Sequence, residues 1–140
     1  MSPRTGAERE PAAGRAAVGE RSSADLARLV ATIVDDKKGE EIVALDVSEL
    51  VSYTDYLVIA TARNERQAKA IVDEVRLRLK RDADLLPARA EGEREARWVL
   101  LDYLECVLHV QVPDIRERYR LERLWGEAEA LELDLPGAAG

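Results

Sequence analysis

The chain has 140 residues, a formal net charge of -7 and a pI near 4.9, with 46% hydrophobic and 35% charged residues. This balance is typical of one soluble globular domain with one core. Between residues 24 and 112 there are 13 Lys and Arg against 18 Asp and Glu, without a basic block, which argues against direct RNA or DNA binding. Because no apolar run is long enough to cross a bilayer and the single cysteine, Cys106, cannot form an internal disulfide, we expect a cytoplasmic protein that is not bound to a membrane.

The N-terminal stretch is rich in Ala, Gly, Pro, Arg and Glu, which predicts a disordered tail over residues 1–22. Ser22 followed by Asp25 resembles a capping box and predicts the start of the first helix. Asn64 is a competent N-cap for the second helix. The predicted elements in chain order are a helix over 22–39, strands at 41–47 and 55–61, a helix over 64–79, a short edge strand at 85–87, strands at 98–102 and 105–110, and one or two short helices between 113 and 128.

This order predicts an α/β fold with a small mixed β-sheet of about five strands. Two main helices should pack on one face of the sheet, and the short C-terminal helices should follow the last strand. We expect the folded domain to span residues 23–131 and a flexible C-terminal tail to span residues 132–140.

The two strands at 98–102 and 105–110 are predicted to form a hairpin centred on Tyr103 and Leu104. Strand side chains alternate between faces, so the hairpin has two apolar faces. The predicted pairs are Trp98 with His109 and Leu100 with Val107 on one face, and Val99 with Leu108 and Leu101 with Cys106 on the other.

The face that carries Trp98 is of most interest because two main helices can cover only one side of a small sheet. An uncovered apolar patch with a charged rim would mark a protein interface. Alternatively, the terminal helices that carry Tyr119 and Trp125 could seal this face and make Trp98 part of the core. The sequence leaves both alternatives open.

No catalytic or metal-binding constellation is evident. Cys106 and His109 are three residues apart on a strand and therefore point to opposite faces, so one ion cannot bind both. We expect neither a cofactor nor a metal, and no enzymatic activity. One alternative is a metal-dependent nucleotidyl or phosphoryl transferase that uses the strand-end acids Asp46, Asp55 and Asp102, although no phosphate-binding glycine loop accompanies them. Another is a generic dimerisation module whose apolar face meets a second copy.

In combination, several short segments between residues 24 and 128 resemble the ribosomal silencing factors, also called the Iojap family. The resemblance covers most of the chain, in order and with regular spacing. The segments are Asp46-Val47-Ser48, Thr54 to Thr61, Arg66-Gln67, Glu91-Gly92, Trp98 to Tyr103, His109-Val110, Arg116, Tyr119 and Leu121 to Trp125.

The resemblance implies a non-enzymatic translational repressor. Such a factor binds the large ribosomal subunit through ribosomal protein fourteen and prevents the small subunit from docking when nutrients or energy are short. The resemblance also implies an α/β domain related in shape to nucleotidyltransferases, without their catalytic acids, and homodimers when the protein is free. The partner-binding residues that it implies are Trp98, Leu100, Asp102 and Tyr103, with Tyr56 and His109 as further members.

One feature of this chain departs from the family's pattern, and another agrees with the implied partner. Leu104 stands where many members of the family have glycine, which favours a hairpin loop wider than two residues. An acidic rim suits a basic ribosomal protein, because phosphate repels it and rRNA is thereby rejected.

Overall fold

The structure is a computed structural model that describes residues 22–136, so most of the predicted N-terminal tail and the last four residues lie outside it. No helix within this range is long and apolar enough to cross a bilayer. The elements are α1 (Ser23–Asp36), β1 (Glu40–Asp46), β2 (Tyr56–Thr61), α2 (Glu65–Ala83), β3 (Arg89–Glu91), β4 (Trp98–Asp102), β5 (Cys106–Gln111), α3 (Pro113–Tyr119), α4 (Leu121–Leu124) and β6 (Glu129–Ala130).

The strands form one mixed sheet in the order β3-β4-β5-β2-β1-β6. β2 and β5 run parallel, and every other neighbouring pair is antiparallel. β2 is central, as its apolar sequence predicted, and Leu57–Thr61 are buried. The predicted α/β class is confirmed. The sheet has one more strand than expected, β6, which has only two residues and is too short to give a sequence pattern.

The predicted caps position the two main helices. Ser22 and Asp25 form a capping box at the start of α1, in which the Asp25 N–H donates to Ser22 Oγ over 3.1 Å. The Gln67 N–H donates to Asn64 Oδ1 over 2.9 Å at the start of α2. Gln67 Nε2 also donates to the carbonyl oxygen of Lys38 over 3.1 Å. Gln67 therefore ties the end of α1 to the beginning of α2.

Each face of the sheet carries its own apolar cluster. The larger, helix-side core joins α1 and α2 to the sheet and includes Leu26, Val30, Ile71, Val75, Val58, Ala60, Val99, Leu101, Leu108 and Val110. The smaller cluster on the opposite face consists of Leu45, Val47, Leu57, Ile59 and Val107, with Leu121, Trp125 and Ala128 packed against it. The C-terminal segment thus covers part of the second face.

The C-terminal segment stays attached to the domain beyond residue 131. The Leu131 N–H donates to the carbonyl oxygen of Ala44 over 2.8 Å, and Leu135 is buried in the helix-side core with Leu133 against it. These contacts hold residues 131–135 against the domain, where the sequence predicted a flexible tail from residue 132. The alternation of Leu131, Leu133 and Leu135 is the signal for this attachment, since an extended segment buries every second side chain.

The edge strand lies four residues later than predicted. Residues 85–87 form no strand, and β3 occupies Arg89–Glu91, antiparallel to β4. The pairing begins only after Pro87, where the Ala88 N–H donates to the carbonyl oxygen of Asp102 over 2.7 Å. Proline has no N–H to donate, so it precedes the strand.

The hairpin of β4 and β5 forms, but its predicted register is wrong by two residues. Trp98 lies opposite Gln111, Leu100 opposite His109, and Leu101 opposite Leu108. A shift of two residues changes every partner but leaves each side chain on its face. The predicted division into two faces therefore holds.

The turn of this hairpin explains the shift. The Tyr103 N–H donates to the carbonyl oxygen of Cys106 over 2.9 Å, and the Glu105 N–H donates to that of Tyr103 over 2.8 Å. Leu104 has a φ of 74°, in the left-handed region that favours glycine. Three residues, 103–105, separate the two strands, in agreement with the expected loop wider than two residues, and leucine accepts a backbone conformation that favours glycine.

Candidate functional site

Trp98 is partly buried and has two aromatic neighbours. Its indole Nε1 donates to His109 Nδ1 over 3.0 Å. The Tyr119 ring from α3 lies over it, with centroids 4.9 Å apart and planes tilted by 48°. Because Tyr119 remains exposed, the terminal helices neither seal Trp98 in a core nor leave it free.

The hydrogen bond from Trp98 requires a neutral imidazole, since Nδ1 must offer a lone pair. Burial lowers the pKa of His109 from 6.5 to about 4, because a charged ring would lose its solvation. The acceptor is therefore unprotonated near neutral pH, and the indole orientation is fixed.

A buried arginine holds α3 on the sheet. Arg116 Nη1 donates to Thr61 Oγ1 and Nη2 to the carbonyl oxygen of Glu41, each over 2.8 Å. Arg116 Nε lies 3.2 Å from the Glu122 carboxylate, and Thr61 Oγ1 donates to Glu41 Oε1 over 3.2 Å. One side chain thus joins β1, β2, α3 and α4. This structural role of Arg116 was not predicted from the sequence. The signal for it is an arginine three residues before Tyr119 on the same helical face.

The cover that α3 and α4 provide is incomplete. Leu121 and Trp125 pack on the cluster beneath β1, β2 and β5, but α4 contains no buried residue and Leu124 is 70% exposed. On the β4 side, Trp98 and Leu100 are only partly buried. We call the patch formed by Trp98, Leu100 and Tyr119 the Trp98 surface.

Four of the six predicted partner-binding residues share the face of the Trp98 surface. Trp98, Leu100 and Asp102 alternate along β4, and His109 lies opposite Leu100 on β5. Asp102 has a local role as well, since its Oδ1 accepts the N–H of Leu104 over 2.8 Å and its Oδ2 lies 3.6 Å from Arg89. Asp102 therefore orients the hairpin turn.

The two predicted tyrosines lie on the other face. Tyr103 is buried in the helix-side core, where burial raises its pKa to about 12 and its hydroxyl has no hydrogen-bond partner among the described residues. Tyr56 packs against the same core, and burial together with the Asp46 carboxylate raises its pKa. Neither side chain belongs to the Trp98 surface.

The strand-end acids lie at one end of the sheet, and each accepts at least one hydrogen bond. Asp46 Oδ1 accepts from the N–H and the hydroxyl of Ser48 over 3.0 and 2.7 Å, and Asp55 Oδ2 accepts from Ser23 Oγ over 2.6 Å. Within residues 22–136 no three His, Cys, Asp or Glu side chains are grouped to hold a metal ion. Cys106 faces the helix-side core, where burial raises the pKa of its thiol.

Comparison with known proteins agrees with this geometry. The family described as "Ribosomal silencing factor during starvation" matches residues 20–139. Ribosomal silencing factor RsfS of Halalkalibacterium halodurans is 37% identical over 113 residues, which cover 81% of this chain and 96% of that protein. The mouse protein "Mitochondrial assembly of ribosomal large subunit protein 1" is 28% identical over 100 residues, covering 69% of this chain and 43% of that protein.

A crystal structure of a Chromobacterium violaceum protein is similar in fold, with a TM-score of 0.73 and 31% sequence identity, covering 84% of this chain and 97% of that one. The family match over residues 20–139, the similarity to the Halalkalibacterium halodurans protein and the shared fold lead to one assignment. The chain belongs to the ribosomal silencing factor (RsfS) family.

Proposed function

We propose that this protein is a non-enzymatic translational repressor that binds the large ribosomal subunit through ribosomal protein fourteen. Bound there, it prevents the small subunit from joining when nutrients or energy are limiting. The observation that carries the proposal is the Trp98 surface, an apolar patch that α3 and α4 leave partly exposed. Membership of the silencing-factor family and the name of the mouse relative support a partner in the large subunit.

The Trp98 surface has the properties of a binding hot spot. Trp98 is held by His109 and Tyr119 before any partner arrives, so binding costs little additional side-chain entropy. A tryptophan at the centre of an interface contributes about 2–4 kcal/mol on truncation. The net charge of -7 favours encounter with a basic protein and disfavours rRNA.

The repression that we propose is steric and needs no catalytic group. A domain seated on the joining face of the large subunit excludes the small subunit by occupying its place. We propose that this takes place in the cytoplasm, a setting compatible with the single, unpaired thiol of Cys106.

Subunit joining tests the proposal directly. Purified large and small subunits are mixed with and without equimolar protein and separated by sedimentation. We expect less joined ribosome and co-sedimentation of the protein with the large subunit. An undiminished yield of joined ribosomes at saturating protein would contradict the proposal.

Variants separate the Trp98 surface from a purely structural role. Trp98→Ala should fold and lose binding to the large subunit by about 30-fold or more, with folding checked by urea unfolding. If Trp98→Ala unfolds, Leu124→Ser tests the exposed side of α4, and Leu86→Ser is its control because the two leucines are 70% and 68% exposed. If the two leucine variants bind large subunits equally well, and any folded Trp98 variant binds them fully, the contact lies elsewhere on the protein.

We also propose that the free protein forms homodimers through the same surface. One apolar patch can then meet either a second copy or the ribosome, but not both. Sedimentation velocity should show a dimer that dissociates as large subunits are added. A dimer that persists on the ribosome would show that self-association uses another face.

A further inference from the structure

Two loops lie side by side at the end of the sheet where β1 and β4 finish. The loop over residues 47–55 joins β1 to β2, and the turn over residues 103–105 joins β4 to β5. The Glu105 carbonyl oxygen accepts the N–H groups of Asp55 and Tyr56 over 3.3 and 3.2 Å and so links the two loops. Both loops are therefore fixed relative to each other.

These loops expose large apolar side chains. Leu50 is 41%, Tyr53 58% and Leu104 61% exposed. They are three of the seven large hydrophobic residues that are exposed in the described part of the chain. We call this group the loop-end surface.

The loop-end surface is separate from the Trp98 surface. Leu104 follows Trp98 by the whole length of β4, and a strand rises about 3.3 Å per residue, so the two residues are roughly 15–20 Å apart. Val51 of the first loop packs on the cluster below the Trp98 face. The two surfaces therefore rest on the same apolar cluster but consist of different side chains.

The backbone holds the apolar tips outward. Leu104 has a φ of 74°, and its N–H is bound by Asp102 Oδ1 over 2.8 Å. The Leu50 N–H donates to the carbonyl oxygen of Val47 over 2.9 Å. A leucine that is both exposed and left-handed gains little from packing, so folding alone does not account for it.

The surroundings of the loop-end surface are acidic. No Lys or Arg occurs in residues 39–62 or in residues 98–115, the two segments that contain these loops. The hydrogen bonds from Ser48 to Asp46 come from an N–H and a hydroxyl group, which carry no charge and leave the Asp46 carboxylate charge in place. Two cations lie near this end: Arg89, 3.6 Å from Asp102, and Arg28, whose charge acts on Tyr56. The acids here are Asp46, Glu49, Asp55, Asp102 and Glu105.

We infer that the loop-end surface binds a basic polypeptide segment that also carries an apolar side chain, and that this segment belongs to a protein of the large ribosomal subunit. The inference rests on the proposed function and adds a second contact to it. Apolar side chains of the partner would pack between Leu50, Tyr53 and Leu104, while its cations would face the surrounding carboxylates. Bare RNA does not fit, because phosphates would meet carboxylates.

A matched pair of double variants tests the apolar part. Leu50→Ser with Leu104→Ser removes two exposed leucines from the loop-end surface, and Leu77→Ser with Leu86→Ser removes two exposed leucines from α2 and the segment after it. All four side chains are exposed, so both variants should fold, which thermal unfolding verifies. We expect the first pair to weaken binding to purified large subunits by about tenfold, and the second by less than twofold.

Charge reversal tests the acidic part. Glu49→Lys should weaken binding to large subunits by about threefold to tenfold, and more so at low salt. Glu95→Lys, an equally acidic and exposed position on the loop before β4, is the control. Equal effects of the two reversals would mean that only net charge matters, which overturns the inference.

The choice of probe separates this inference from the proposed function. Each variant is measured against intact large subunits, against RNA-free protein extracted from them, and against their protein-free rRNA. Loop-dependent binding to the extracted protein supports the inference, even if the intact subunit does not bind and the proposed function fails. If both double leucine variants still bind intact subunits fully, the inference is overturned and the proposed function stands. Loop-dependent binding to bare rRNA, or no binding to any probe, also overturns the inference.

Discussion

Replacing Arg116 with methionine tests whether a single buried guanidinium holds the cover on the sheet. Methionine keeps an unbranched stem of similar length and removes only the donors and the charge. The change leaves Thr61 Oγ1 and the Glu41 carbonyl oxygen without the donors that now lie 2.8 Å from each of them. It also removes the partner of Glu122, whose side chain is partly solvated.

The expected cost follows from these contacts. A hydrogen bond to a charged donor contributes about 1.5–3 kcal/mol, and breaking a buried ion pair costs about 3–5 kcal/mol. The Glu122 contact is discounted because solvent screens it. We therefore expect Arg116→Met to lower the free energy of unfolding by about 3 kcal/mol, a large part of the 5–15 kcal/mol typical of a domain.

Urea unfolding of two variants measures this cost. Arg118→Met makes the same chemical change on the same short helix at an exposed position and should change the free energy of unfolding by about 0.5 kcal/mol or less. We also expect Arg116→Met to loosen Tyr119 from Trp98 and so change the tryptophan fluorescence. If the two methionine variants are equally stable, Arg116 does not hold the cover.

Three further predictions concern side chains around the hairpin. The pKa of His109 is about 4 in the folded protein and 6.5 ordinarily, so the unfolded chain takes up the proton first as pH falls. The free energy of unfolding should therefore fall by about 3 kcal/mol between pH 6.5 and pH 4. Urea unfolding should show a loss larger by this amount in the unaltered protein than in His109→Gln. Leu104→Gly relieves a φ of 74° and should raise the free energy of unfolding by about 0.5–1 kcal/mol, while weakening binding to large subunits; a drop in thermal stability would contradict it. Tyr103→Phe removes a buried hydroxyl that has no hydrogen-bond partner in residues 22–136. The free energy of unfolding should stay the same or rise by up to about 1 kcal/mol. A loss of binding to large subunits would show that Tyr103 belongs to the interface.

Local patterns predicted the elements well because local interactions determine them. The Ser22 and Asn64 caps occur where the sequence predicted them, since each cap bonds to an amide three residues ahead. The separation of Trp98 and Leu100 from Val99 and Leu101 also follows from strand alternation alone. These features depend on no distant contact.

The register of β4 and β5 could not be predicted in the same way. It depends on the turn, and the turn depends on whether Leu104 accepts a positive φ, which costs about 1–2 kcal/mol and must be offset by the pairing of both strands. Tyr103 is a different case, because alternation along β4 already groups it with Val99 and Leu101. Its assignment to the site came from the resemblance to the family.

The cover required tertiary information. Pro113 predicts where α3 starts, but no local pattern shows that Arg116 reaches Thr61 and the carbonyl of Glu41, which lie 55 and 75 residues away in the chain. Sequence alone therefore left the burial of Trp98 undecided. The answer depends on where a distant hydrogen-bond network places one helix.

The incomplete cover is itself a consequence of this network. α3 and α4 have seven and four residues, and the chain between them turns at Arg120, whose φ is 45°. Arg116 anchors α3 over β1 and β2, and the turn then directs Leu121 and Trp125 onto the cluster beneath those strands. A continuous helix over the same twelve residues would extend about 18 Å in a straight line and could not follow this path. The bend that buries Leu57 and Val107 is therefore also what leaves Trp98 and Leu100 partly open, so the stability of the second face and the exposure of the Trp98 surface have one structural cause.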